Sequence, residues 1–171
     1  DLNKYPDEHT VKVMNPLSAD LGVMRQTMLF GGLESVSRNI NHKSANLKFF
    51  EVGNTYIYNK EKWDAENPIK GYNQEGHISL FITGKRVEGN WAHADEQSSI
   101  YELKAVVENI LRRVGMPFNN VVVKHSDNNI FSKGVQYETR AGKVLVELGI
   151  LSHKLKKALD IEQEVFYAEV H

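Results

Sequence analysis

Cysteine is absent from this chain, so disulfides, thiolate metal sites and cysteine nucleophiles are all excluded. Long apolar runs are absent too. Nothing approaches the roughly 18 residues that span a bilayer, and no signal peptide opens the sequence. A cytoplasmic protein without a membrane partner is the expectation. Excess charge is also missing: 21 Lys and Arg stand against 22 Asp and Glu, a formal charge of -1. That balance leaves no general electrostatic footprint for nucleic acid or an anionic membrane. Neither usual phosphate-cradling loop, GxGxxG or GxxxxGK with Ser or Thr, is written here. Histidines occur at 9, 42, 77, 93, 125, 153 and 171, yet none has a histidine four residues on or an acid at a zincin spacing. They read as scattered surface residues, and no metal site is expected. Serines 35, 37, 98 and 99 lack a nucleophile-elbow context and read as caps and solvated faces.

What is present suits one globular domain. Of 171 residues, 41% are hydrophobic and 25% charged, enough to bury a proper core. Residues 1–10 are polar and expected to fray, leaving 11–171 as a single domain. The chain begins at Asp1 and ends at His171 within a strand-like run, so it reads as a piece of something longer.

"VKVMNPLSAD" suggests a short strand, stopped at Asn15-Pro16, with Ser18 or Asp20 starting a turn. Gly31-Gly32 reads as punctuation before a helix that carries Leu33, Val36 and Ile40 on one face. A strand over about 47–58 puts Phe50, Val52, Tyr56 and Tyr58 on one side. "GHISLFITG" alternates as a half-buried strand, and a long polar loop with Trp63 precedes it. The strongest helix is "SSIYELKAVVENILRRVG", with Ser99 and Glu102 as a capping box and Gly115 and Pro117 as its stop. A strand "VVVKH", a hairpin turned at Ala141-Gly142, a short helix capped by Ser152 and a last strand "EVFYAEV" follow. Hairpins interrupted by single helices indicate an α+β fold, an antiparallel sheet flanked by helices.

Four stretches, in order, resemble the bacterial phenylalanyl-tRNA synthetase beta chain. They are "VKVMNPLSADLGVMRQTMLFGGLESVSRN", "FFEVGNTY", "WAHADEQSSIYELKAVVENIL" and "AGKVLVELGILSHKLKKALDIEQEVFYAEV". The last has Ser152-His153 where the family pattern has His-Pro. The resemblance implies a class II synthetase-like fold and the catalytic-like module of the beta chain. It further implies an alpha-chain partner carrying the working active site, a heterotetramer that binds tRNA, and ATP and Mg2+ as cofactors of that parent complex. The family's editing and anticodon-contacting regions lie outside this stretch.

Class II activation needs arginines, because a planar guanidinium binds phosphate and carboxylate bidentately. The family's "FRxE" falls on "KFFE", with Phe49 at the arginine position. No arginine occurs between Arg38 and Arg86, and none follows Arg140. The resemblance therefore implies no catalytic and no cofactor-binding residue in this module. Two rival readings are a self-sufficient class II-like enzyme binding ATP and amino acid, and a tRNA-contacting platform.

Two structural expectations complete the reading. Glu51, among Phe49, Phe50 and Val52, is expected to be withdrawn from water and held in an ion pair, first with Arg25 and failing that with Arg38. If truly buried, losing one partner would cost roughly 3–5 kcal/mol. Val23, Met24, Met28, Leu29 and Phe30 are candidates for a subunit interface, the alternative being that they complete the domain's own core.

Overall fold

The computed structural model describes residues 4–18, 21–116 and 118–171. Turn residue Asp20 and helix stop Pro117 lie outside the described residues. Helix α1 spans Leu29–Asn41, then strand β1 Leu47–Tyr58, β2 Tyr72–Thr83, β3 Lys85–Val87, β4 Glu96–Gln97 and helix α2 Ile100–Arg113. Strands β5 Val121–His125, β6 Phe131–Thr139 and β7 Val144–Leu151, helix α3 His153–Ala158 and strand β8 Val165–Val170 complete the chain. Six strands form an antiparallel sheet in the order β1-β2-β8-β7-β6-β5, and β3 pairs with β4 apart from it.

Period-two alternation gives the sheet two unlike faces. One is apolar across its central strands: Leu80 and Ile82 of β2, Phe166 and Ala168 of β8, and Val146 and Leu148 of β7 meet Leu103, Val107 and Leu111 of α2. The other face is apolar at one end only. There Phe81, Tyr167, Leu151 and Leu47 pack against Leu29, Leu33 and Val36 of α1.

Gly31 and Gly32 are not a turn; both lie inside α1. A Cβ on Gly32 would stand 2.1 Å from the Phe81 ring, so the residue lets helix and sheet approach closely. Gly142 does turn its hairpin, at a φ of +83°. Ser99 precedes α2, but its side chain makes no capping bond. Glu102 is drawn away instead to Lys48 of β1, at 2.6 Å, because a cross-element ion pair competes with the local box. The strand expected near Val11 reduces to a single bridge between Lys12 and Val23. The segment expected to fray is tied down from Lys4 onward. Tyr5 packs on the core, and the Gln26 amide donates to Pro6 O and Thr10 Oγ1 at 3.1 and 2.7 Å.

Candidate functional site

Beyond the α1 core, the same face of the sheet turns polar. Strand register aligns Glu51, Ser79, Glu169, Glu147, Gln136 and Lys124 across β1, β2, β8, β7, β6 and β5, so one polar row crosses the whole sheet. Glu169 is 2% exposed and Glu147 6%, and they are direct cross-strand neighbours. Like charges so placed repel, and burial makes each unpaired carboxylate costly.

Both are met by donors from separate elements. Glu169 Oε1 lies 3.0 Å from His77 Nδ1, and its Oε2 accepts from the Tyr167 hydroxyl at 2.9 Å and Thr27 Oγ1 at 3.3 Å. Thr27 also accepts the backbone N–H of Leu29, which links the start of α1 to this carboxylate. Glu147 receives the Lys4 ammonium and the Asn128 amide, the latter at 3.2 Å, with His171 Nε2 at 3.9 Å. The His77 and His171 rings meet edge to face, 4.6 Å between centroids.

The electrostatics follow from this packing. Burial acts to raise the Glu169 carboxyl, but hydrogen bonds from His77 and Tyr167 outweigh it and hold the group below its ordinary value. Burial, reinforced by His77, pushes the His171 imidazole down to about 4. Burial and the neighbouring Glu169 push the Tyr167 phenol well up. Burial also lowers the Lys4 ammonium, against the opposing pull of Glu169.

Thr55 Oγ1 sits 3.2 Å from His77 Nε2, on the far side of the imidazole from Glu169. Hydroxyl, imidazole and carboxylate thus have the connectivity of an acyl-transfer triad. Thr55 is only 1% exposed, so no carbonyl can reach its oxygen. The relay ties β1, β2 and β8 together; it does not attack a substrate.

The sequence-derived residues fall into place unevenly. Arg25 Nη1 lies 2.5 Å from Glu51 Oε1, and Arg25 Nε donates to Asn54 O at 2.9 Å. Gly53 makes room for this: a Cβ there would meet Arg25 Nη2 at 2.2 Å. Arg38, the second choice, is exposed on α1. The burial argument for Glu51 does not hold. Its side chain is 40% exposed and that of Arg25 42%, because Phe50 and Val52 point to the opposite face and out to solvent at the sheet edge. Of the interface candidates, Met28 and Leu29 are core residues, since the turn into α1 points both inward. Val23 and Phe30 are exposed and Met24 is half-buried.

Phe49 is half-buried on the α1 core, on the same face as Glu51. The Arg25 guanidinium, brought over this part of the row, is neutralised by Glu51. Carboxylates dominate the row, a poor match for a triphosphate. Among the described residues, no group of three or more His, Cys, Asp or Glu is placed to hold a metal ion.

The sequence reading missed His77, which is buried, and the His171 side chain, which is 22% exposed and turned onto His77 and Glu147. A signal was present, since alternation in "GHISLFITG" sets His77 and Ser79 on the face opposite Ile78 and Leu80. Only the pairing of β2 with β8 shows what that face meets.

The whole chain, residues 1–171, matches the phenylalanyl tRNA synthetase beta chain CLM domain family. It is 48% identical over 170 residues to the phenylalanine–tRNA ligase beta subunit of Bacteroides thetaiotaomicron, covering 99% of this chain and 21% of that protein. It is 41% identical over 169 residues to the Porphyromonas gingivalis beta subunit, again covering 99% and 21%. The chain thus spans about a fifth of the length of these curated relatives. Two solved structures of pyrrolysyl-tRNA synthetase from Desulfitobacterium hafniense superpose with TM-scores of 0.60 and 0.63. Their identities are 13% and 12%, each covering 95% of this chain and 50% of theirs. That likeness establishes a class II synthetase-like fold.

Proposed function

The chain belongs to the phenylalanyl-tRNA synthetase beta chain CLM domain family, and from that premise we propose that it is the non-catalytic, catalytic-like module of a phenylalanine–tRNA ligase beta subunit. Its work is assembly: it supports an alpha subunit that attaches phenylalanine to tRNA using ATP and Mg2+ in the cytoplasm. One observation carries the reading. The buried carboxylates of the polar sheet face, Glu147 and Glu169, and the Arg25 guanidinium over it are met by groups of the chain itself, and the resemblance puts Phe49 where the family pattern has an arginine. No helix among the described residues is long and apolar enough to cross a membrane.

Phe50 and Val52 are the large apolar side chains that β1 leaves in solvent, and Val23 and Phe30 line an exposed cleft with Tyr5. These are the surfaces the alpha subunit covers in this proposal. Mixed with a purified alpha subunit, the chain should co-elute, and Phe50→Glu should lose co-elution while keeping its fold. Alone, it should give no phenylalanine-dependent pyrophosphate exchange above a no-enzyme blank. Absence of co-elution overturns the assembly role. Exchange by the lone chain, or micromolar binding of ATP or phenylalanine, favours the self-sufficient enzyme instead.

A further inference from the structure

Strands β3 and β4 and the loop joining them stand apart from the six-stranded sheet, and every residue from Arg86 to Gln97 is exposed. Polar ties, not a core, shape this loop. Asn46, just before β1, accepts from Lys85 N at 2.7 Å and donates to Glu88 at 2.6 Å. Asp95 accepts from Gly89 N at 2.6 Å and pairs with Lys85 at 2.7 Å, and Arg86 pairs with Glu96 at 3.1 Å. Asn90 Oδ1 accepts the N–H groups of Ala92 and His93 at 2.8 and 3.1 Å. Between them Trp91 is 99% exposed. Trp63 differs: it is 46% exposed and lies over Gly71, where a Cβ would meet it at 3.1 Å. One indole pins its loop; the other pins nothing. The loop holds its shape without Trp91, so a large apolar ring left in water there is a preorganised contact.

Charge and size select the partner. Lys85 and Arg86 face Glu88, Asp95 and Glu96 on this hairpin, and both cations are held in ion pairs. No free lysine or arginine is left there for phosphate, which disfavours nucleic acid. A buried tryptophan contributes about 150–250 Å², whereas a freely diffusing protein needs an interface on the order of 1,000 Å². Val87, 38% exposed, is the other large apolar side chain the hairpin offers. So small a patch suits a tethered partner, which a linker holds at roughly millimolar effective concentration. The curated relatives carry such partners on the same polypeptide, since this chain spans 21% of their length. We propose that Trp91 is the anchor by which this module docks onto another domain of its own polypeptide, the indole entering an apolar pocket there. The inference rests on the reading of the chain as one module of a beta subunit.

Oxidation by N-bromosuccinimide, read by peptide mass mapping, tests each tryptophan separately. In the 171-residue chain Trp91 should react as fast as a free tryptophan amide. In the full-length beta subunit, without alpha subunit, it should react roughly thirtyfold more slowly. A photoreactive benzoylphenylalanine placed at position 91 of that subunit should cross-link to a peptide outside this module, with no rise in mass on a denaturing gel. Trp91→Ala should leave the thermal midpoint of the isolated chain unchanged, since the ring supports nothing within it. The proposal is overturned if Trp91 reacts equally fast in the full-length subunit, or if W91A destabilises the isolated chain. It is equally overturned if protection and cross-link appear only with the alpha subunit, or only with tRNA. Failed co-elution with the alpha subunit overturns the assembly role alone, because none of these measurements needs that partner.

Discussion

Beneath α2, the central strands offer Leu80, Phe166, Ala168, Val146 and Leu148; one residue along, on the reverse of the same strands, stand Ser79, Tyr167, Glu169 and Glu147. Both sets are buried. The apolar side gains from every methylene removed from water and needs no particular partner beyond close packing. The polar side must match each carboxylate to a donor, and its donors come from β2, from Thr27 before α1 and from the Lys4 segment. Stability on one face is spread over many contacts, whereas on the other it hangs on single groups. A buried polar row is a poor way to build a core, because its worth depends on every group keeping its partner.

The sharpest way to break this contrast is to remove one member of the polar row. His77→Leu leaves a carboxylate that is nearly sealed from water with two hydroxyl donors and no polar partner at its Oε1. A loss of about 3–5 kcal/mol is expected in urea unfolding. Changing both partners, His77→Leu with Glu169→Met, should cost much less than the single change. If the double variant is the less stable, the row is contributing more than mutual satisfaction. On the apolar face, Leu103→Ala should cost about 3 kcal/mol, by lost transfer energy and a cavity under α2. No second substitution there should recover it by matching charge.

The apolar face was largely legible in the sequence. "GHISLFITG" and "VLVELGIL" alternate openly, and α2 announces itself by its spacing. In α2 the buried places fall to Leu103, Val107 and Leu111, while Val114 lies exposed past its end. The polar row was not legible, for a physical reason. Its members are 92 residues apart in His77 and Glu169, and only strand register brings them together. Arg25 and Glu51 were anticipated as partners because each is a lone charge in an apolar run and the Arg25 segment was expected to pack beside the strand. How far that pair stands in water depended on which side of an edge strand Phe50 faces, and alternation alone does not say which side is covered.

Acid should separate the faces next. The His171 imidazole titrates near 4 in the folded chain against 6.5 ordinarily. Between those values the unfolded chain binds more protons, so stability rises with pH. The contribution is fully present above 6.5 and is lost as pH falls toward 4, at most about 3 kcal/mol. Glu169, whose folded pKa is also lowered, adds loss in the same direction at lower pH, as the medium becomes acid enough to protonate it. His171→Gln should flatten the upper part of this slope and leave the lower acid limb. Urea midpoints measured from pH 4 to 7 would show it, and an unchanged slope would remove His171 from the account. Leu103→Ala should shift the whole curve without changing its shape.

The smallest effect belongs to Arg25 and Glu51, where the polar row runs out into solvent. Their contact is short, 2.5 Å, yet both side chains are about two-fifths exposed. An exposed pair gains little Coulomb energy in water and loses side-chain freedom, so its coupling is worth about 0.2–1 kcal/mol. The two single variants should nevertheless differ. Glu51→Gln keeps an acceptor for Arg25 and gives up only charge. Arg25→Gln also loses the bond from Nε to Asn54 O and the packing of the guanidinium over Gly53. The arginine change should therefore cost more, and the excess should persist in high salt. The coupling between the two, read from a double-mutant cycle, should shrink as salt is raised, because exposed charges are screened. A salt-insensitive coupling above about 3 kcal/mol would instead mean that the pair behaves as a buried one, and that the row stays closed to water as far as β1.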